Sequence, residues 1–162
     1  MKLKEALKII DEGVNDPGIF KAIFLAGGPG SGKSFVASEL LGIPKFNKVT
    51  VGPNSPRGKA KVVKQAKEKL YVQGKLGLLI DGTGDDYGKI NTKVKELKKV
   101  GYDCYMVFVN TTLEVAQERN LRRSRKLPEK MVKKIWTDVQ KNMGRFQGLF
   151  KQNFIIVDNT EF

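Results

Sequence analysis

The stretch GGPGSGKS, residues 27–34, directly follows the apolar run Ile23, Phe24, Leu25 and Ala26. Glycine loses more freedom on folding than any other residue, so four glycines in eight positions need a conformational reason. The spacing G-x-x-x-x-G-K-S from Gly27 to Ser34 supplies one. A strand, a tight glycine turn and a helix start let successive backbone N–H groups converge on phosphate oxygens. Gly28, Gly30, Ser31, Gly32 and Phe35 contribute to this cradle, and the helix N-terminus adds partial positive charge. Lys33 is expected to reach the β- and γ-phosphates of a nucleotide, and the Ser34 hydroxyl to bind Mg²⁺.

The rest of the chain alternates strand and helix patterns, which predicts an α/β domain. Leu3, Ala6, Leu7 and Ile10 mark an N-terminal helix within residues 1–15, ended at Gly13. Strands are expected at 19–25, 46–51, 76–81, 103–110 and 153–159. Helices are expected from the glycine loop to Leu41, from about Gly58 to Gln73, and from the GTGDDYG loop to Val100. Thr112 is placed to cap another, running to about Ser124, and a long helix starts near Pro128. The central strands are nearly continuous apolar runs, as in a parallel sheet buried on both faces. With no internal repeat or dividing linker, residues 1–162 read as a single domain.

Composition removes several chemistries. The chain has no histidine and one cysteine, Cys104, which excludes His-based catalysis, an internal disulfide and a multi-cysteine metal site. Cys104 lies in an apolar strand, where a buried structural thiol is expected. No apolar run is long enough for a membrane span, and the charged N-terminus does not read as a signal peptide, so a cytoplasmic protein is expected. The net charge of +13 favours polyanionic partners such as nucleotides or nucleic acids. Between Arg119 and Lys134 eight basic residues face one acid. Solvated helix faces explain most of the lysines as well.

Two further segments carry candidate chemistry. Asp81 ends the apolar strand LGLLID, where open α/β sheets place their ligand crevice. A carboxylate there can hold Mg²⁺ through water or accept a substrate proton. Thr83, Asp85 and Asp86 follow in a polar loop of ordinary composition. In ERNLRRSRKLPEK, residues 118–130, Arg119, Arg122 and Arg123 share one helix face. Their forked donors suit the charge that develops on a transferred phosphoryl group, which makes residues 119–128 a candidate arginine lid. The strand-end VDNT, residues 157–160, borders either a nucleotide base or an ordinary turn. Trp136, Met143, Phe146 and Phe150 recur at helical spacing, as core residues do.

Together GGPGSGKS, IDGTG and RNLRRSRKLPEKMV resemble the P-loop kinases of the zeta-toxin and polynucleotide-kinase-like group, several of them phage-encoded. The resemblance runs from Ile19 to Asn159. It implies a P-loop NTPase fold, a three-layer α/β/α sandwich with a five-stranded, mostly parallel sheet ordered 2-3-1-4-5. It also implies ATP with Mg²⁺ as phosphoryl donor and lid roles for Arg119 and Arg123. Lys33, Asp81, Arg119 and Arg123 are then the expected catalytic set, with Ser34 and Asp81 toward the metal.

The chain departs from that group at one place. An aspartate soon after strand two usually activates the substrate hydroxyl there, and here no acid occurs between Glu39 and Glu68. A base at Asp81 or a loop aspartate, a shortened or missing segment, and lost catalysis all remain open. The expected function is transfer of the γ-phosphoryl group to a hydroxyl of a nucleotide, a nucleotide sugar or a polynucleotide 5′ end. The alternatives are a catalytically impaired ATP-binding regulatory module and a basic nucleic-acid-binding protein.

Overall fold

Successive residues of a strand point to opposite faces, and strand β1, Lys21–Ala26, is apolar on both. In the computed structural model, which describes residues 2–6, 21–41, 46–50, 59–74 and 76–160, each face carries its own core. Ala22, Phe24 and Ala26 pack with Leu78, Ile80, Met106 and Phe108, whereas Ile23 and Leu25 pack with Leu79, Val107 and Val109. These residues come from β3, Gly77–Asp81, and β4, Asp103–Asn110, which flank β1 on either side. Strands β2, Phe46–Thr50, and β5, Phe154–Asp158, complete the sheet in the order β2-β3-β1-β4-β5. All four strand pairings are parallel, so the expected order and direction are both found.

Helices cover both faces because both are apolar. Helix α1, Lys33–Leu41, sets Val36 and Ala37 against one core, and residues 3–6 add Leu3 and Ala6 there. Helix α2, Lys59–Gln73, brings Tyr71 and Val72 to the other core. Helix α3, Tyr87–Lys99, adds Ile90, Val94 and Leu97 to the same side. After the short helix α4, Leu113–Leu121, helix α5, Glu129–Phe150, contributes Val139, Phe146 and Phe150. Met143 packs against that core too, as its helical spacing predicts. The architecture is a three-layer α/β/α sandwich. Most of the expected N-terminal helix, the start of the first strand and the turn after β2 lie outside the described residues. No helix among the described residues is long and apolar enough to cross a membrane.

Helix α4 stops at Leu121, three residues short of the expected end at Ser124. Its C-cap is Arg122, and the buried Asn120 explains the early stop. The Asn120 Nδ2 donates to the Leu127 carbonyl at 2.8 Å, and its Oδ1 accepts from the Leu127 N–H at 3.1 Å. Both bonds require the chain to turn back at 122–125 before Pro128 leads into α5.

A second asparagine fixes the loop after β3. Asn142 of α5 is buried, and its Nδ2 donates to the carbonyls of Gly84 and Asp85, each at 3.0 Å. Gly84 itself has φ +86° and a Cβ there would come within 2.8 Å of the Ala26 Cβ. Asn142→Leu keeps the volume but strands two carbonyls in the interior. It should lower the unfolding free energy by about 1–3 kcal/mol in urea titrations, and an unchanged midpoint would contradict this account. Burial also pushes the Cys104 thiol up to about 11, with Lys98 drawing it down and Asp103 raising it. The thiolate is the nucleophile, so at pH 8 the folded protein should react with iodoacetamide far more slowly than the urea-unfolded chain. Equal rates in the two states would show the thiol to be accessible.

Candidate functional site

The strands end side by side, and the loops leaving them build the site. Register pairs Leu25 with Asp81 and Asn110 with Asp158, so the ends of β1, β3, β4 and β5 lie near one level. The glycine loop leaves β1 here. Gly30 and Gly32 have φ of +76° and +87°, a left-handed backbone that side chains other than glycine rarely adopt. A Cβ at Gly30 would run into the Ala116 carbonyl, and one at Gly32 would meet the Asn159 amide. Alternation of left- and right-handed residues turns successive N–H groups to one side, the geometry of an anion nest. Ser31, between the two glycines, is buried, and its N–H donates to the Gly28 carbonyl at 3.1 Å.

Lys33 opens helix α1, whose first turn holds no acidic residue to offset its positive end. Its Nζ lies 3.1 Å from Asp81 Oδ1 and donates to the Gly82 carbonyl at 2.8 Å. The two predicted residues are therefore in direct contact, with side chains 15% and 18% exposed. Ser34 is exposed at the start of the helix. Phe35 directs its backbone N–H to the Gly32 carbonyl at 3.1 Å and leaves its ring exposed. Gly28 faces helix α5, where Trp136 Cα lies 3.8 Å from the position a Cβ would take. Trp136 is anchored by its indole N–H, which donates to the Thr111 carbonyl at 3.0 Å.

The loop after β3 closes the other side. The Gly27 N–H donates to the Thr83 carbonyl at 2.9 Å, and the Gly82 N–H to the Leu25 carbonyl at 3.2 Å. Asp86 caps α3, accepting from the Lys89 N–H at 3.1 Å. The Thr83 hydroxyl donates to Asp85 Oδ1. Gly82, Thr83, Asp85 and Asp86 line a small pocket together with Phe24 and Ile80.

The arginines separate. Arg119 turns inward: its Nη1 donates to the carbonyls of Gly30 at 3.1 Å and Ser31 at 3.3 Å, and its Nη2 to Asn159 at 2.6 Å. Burial lowers the Arg119 pKa from its ordinary value, with the nearby Glu118 charge raising it. Arg122 instead pairs with Glu118 on the surface, and Arg123 is exposed on the turn after α4. The three do not act as one face, because the helix ends between the first and the other two. Sequence reasoning noted Asn120 only as the partner of Arg119 in an Arg-Asn pair, without a role, passed over Asn142 entirely, and set Asn159 beside a base or in a plain turn. Asn159 in fact donates from Nδ2 to the Ser31 carbonyl at 2.8 Å. The adjacency of Arg119 and Asn120 was the one local signal available for the Asn120–Leu127 clip.

No family model matches the sequence, and no characterised protein matches it by sequence. Solved structures do match in shape. A chain of the Pnkp1/Rnl/Hen1 RNA repair complex aligns at 17% identity with a TM-score of 0.63, covering 82% of this chain and 48% of that one. The PezAT chromosomal toxin-antitoxin system of Streptococcus pneumoniae aligns at 20% identity with a TM-score of 0.62, covering 97% and 76%. The AvrRxo1-ORF1:-ORF2 complex with ATP aligns at 13% identity with a TM-score of 0.63, covering 99% and 59%. This chain thus spans about half the length of the RNA repair chain it matches. What the likeness establishes is architecture: the chain shares the parallel α/β fold of these structures.

Proposed function

We propose that this protein is a phosphotransferase that moves the γ-phosphoryl group of ATP to a hydroxyl of a nucleotide, nucleotide sugar or polynucleotide 5′ end. The observation that carries the reading is Lys33, held at the end of a left-handed glycine loop and 3.1 Å from the strand-end Asp81. That arrangement joins an anion cradle to a carboxylate at the sheet's ligand edge. The fold shared with the PezAT system, the RNA repair complex and the ATP-bound AvrRxo1 complex supports it.

In this reading the loop amides and Lys33 hold the polyphosphate in place. Mg²⁺, which binds through phosphate oxygens and few protein groups, suits Ser34 with Asp81 nearby, and when bound it neutralises charge on the phosphates. Among the described residues no three His, Cys, Asp or Glu side chains cluster to hold a metal without phosphate. The acceptor oxygen bonds to the γ-phosphorus as the bond to the bridging oxygen breaks, and ADP leaves. The hydroxyl proton goes to a carboxylate, which we assign to Asp85. Asp81 is paired with Lys33 and Asp86 caps α3 through a backbone N–H, whereas Asp85 accepts from the Thr83 hydroxyl of its own loop, which Asn142 holds, and lines the pocket together with Asp86. Arg123, on the turn after α4, is the lid arginine of this reading, with Arg119 behind the phosphate loop.

A second reading is an ATP-binding regulatory module without transferase activity. The lack of any acid between Glu39 and Glu68 favours it. The basic surface and the kinase fold leave the acceptor as either a small nucleotide or a nucleic acid.

Incubation with γ-labelled ATP and a cell extract split into small-molecule and nucleic-acid fractions tests the reading. Label should appear in one fraction and fall about 100-fold or more with Lys33→Ala. Saturable ATP binding with no labelled product in either fraction would leave the regulatory module instead. Asp85→Asn should keep ATP affinity while removing most of the labelled product, and full turnover in that variant would move the base elsewhere.

A further inference from the structure

A loop that turns its amides toward an anion must turn its carbonyls the other way, and those carbonyls need partners. Here two side chains supply them. The Arg119 guanidinium takes the Gly30 and Ser31 carbonyls with Nη1, and the Asn159 amide takes Ser31 again. The two are also joined to each other, since Arg119 Nη2 donates to the Asn159 carbonyl. Asn159 is fixed in turn by its own N–H, which donates to the Asn110 carbonyl at 2.9 Å. The following Thr160 N–H closes a turn on Asp158 Oδ1 at 3.0 Å. Hydrogen bonding from the Thr160 hydroxyl, and then from this N–H, draws the Asp158 carboxyl below its ordinary pKa. The ends of β4 and β5, helix α4 and the glycine loop thus meet in one bracket.

We propose that Arg119 and Asn159 are positioning residues that preorganise the phosphate loop from behind. With the Gly30 and Ser31 carbonyls held outward, the loop amides face the polyphosphate before it arrives, so binding need not order them. The close fit also accounts for Gly32, where any side chain would displace the Asn159 amide. The inference rests on the reading of the loop as a polyphosphate site. It gives Arg119 a role through the loop rather than on the transferred group.

The test is equilibrium binding of two probes, ATP and inorganic tripolyphosphate, to folded protein whose thermal midpoint is recorded alongside. Wild type should bind both, and Lys33→Ala should lose both. Asn159→Ala and Arg119→Lys should each weaken both probes about tenfold, the equivalent of losing one to two interior hydrogen bonds. A lysine keeps the charge but not the fork that spans three carbonyls. Should Asn159→Ala fail to fold, Asn159→Asp keeps the size and the backbone contact while removing the donor. Unchanged tripolyphosphate affinity in the folded Asn159 and Arg119 variants would overturn the bracket, and loss of ATP alone would mean that Asn159 serves the base. A wild-type protein that binds neither probe would remove the polyphosphate site itself, and the bracket with it.

Discussion

The carbonyls of Gly30 and Ser31 set the requirement that the rest of the site answers. Backbone polar groups removed from water must be paired. The glycine turn pairs the Gly28 and Gly32 carbonyls with its own N–H groups, but those of Gly30 and Ser31 take side-chain donors from elsewhere in the chain. Their partners come from Arg119 and Asn159, which are 88 and 128 residues from Ser31 in the chain. The loop's shape is therefore a tertiary property. It depends on helix α4 docking so that Arg119 points inward, and on β5 pairing with β4 so that Asn159 reaches the loop. Sheet order decides both, because β4 and β5 lie on the far side of β1 from β3.

Three asparagines do related work in different places. Asn120 clips Leu127, Asn142 holds Gly84 and Asp85, and Asn159 holds Ser31. A side-chain amide carries both donors and an acceptor without a charge, so it can be buried against irregular backbone at less cost than a lysine or an aspartate. Asn142 and Asn159 anchor loops that leave the ends of strands, and Asn120 anchors the turn between α4 and α5. Lys33 and Asp81 thus sit beside loops tied down by side-chain amides, and the turn at 122–125 carries exposed positive charge.

The periodic parts of this architecture were legible in sequence, and the cross-chain parts were not. Continuous apolar runs at 76–81 and 103–110 gave buried parallel strands, and GGPGSGKS gave the turn between β1 and α1. Asp81 was legible because its place at the end of an apolar strand is a local property. The bracket was illegible for the opposite reason. Arg119, Arg122 and Arg123 look equivalent at helical spacing, and only the end of α4 at Leu121 separates the partly buried, inward-turned one from the two exposed ones. Asn142 sits in an amphipathic helix among Phe146 and Phe150, where nothing local marks it as a loop anchor. The helix boundary at 121 failed on the same ground, because the Asn120–Leu127 bonds that end it form only once the chain has turned.

Electrostatics follow from which charges are already engaged. The Lys33 ammonium has three donors, and Asp81 and Gly82 take two, which leaves one for a phosphate oxygen without breaking the pair. Asp81 also offsets the lysine's charge, so in the absence of ligand the half-buried ammonium is not left unpaired. The same pairing means that Lys33 alone cannot balance a polyphosphate. The Arg119 guanidinium is turned to carbonyls behind the loop, and Arg122 is paired with Glu118. What remains is the uncompensated N-terminus of α1 and, on the turn beyond Leu121, exposed arginines such as Arg123. On the phosphotransfer reading, charge that builds up on a moving phosphoryl group would be met by Mg²⁺, Lys33 and that turn together. Arg123 is the residue whose position on it, one step past the helix cap, suits it to that task.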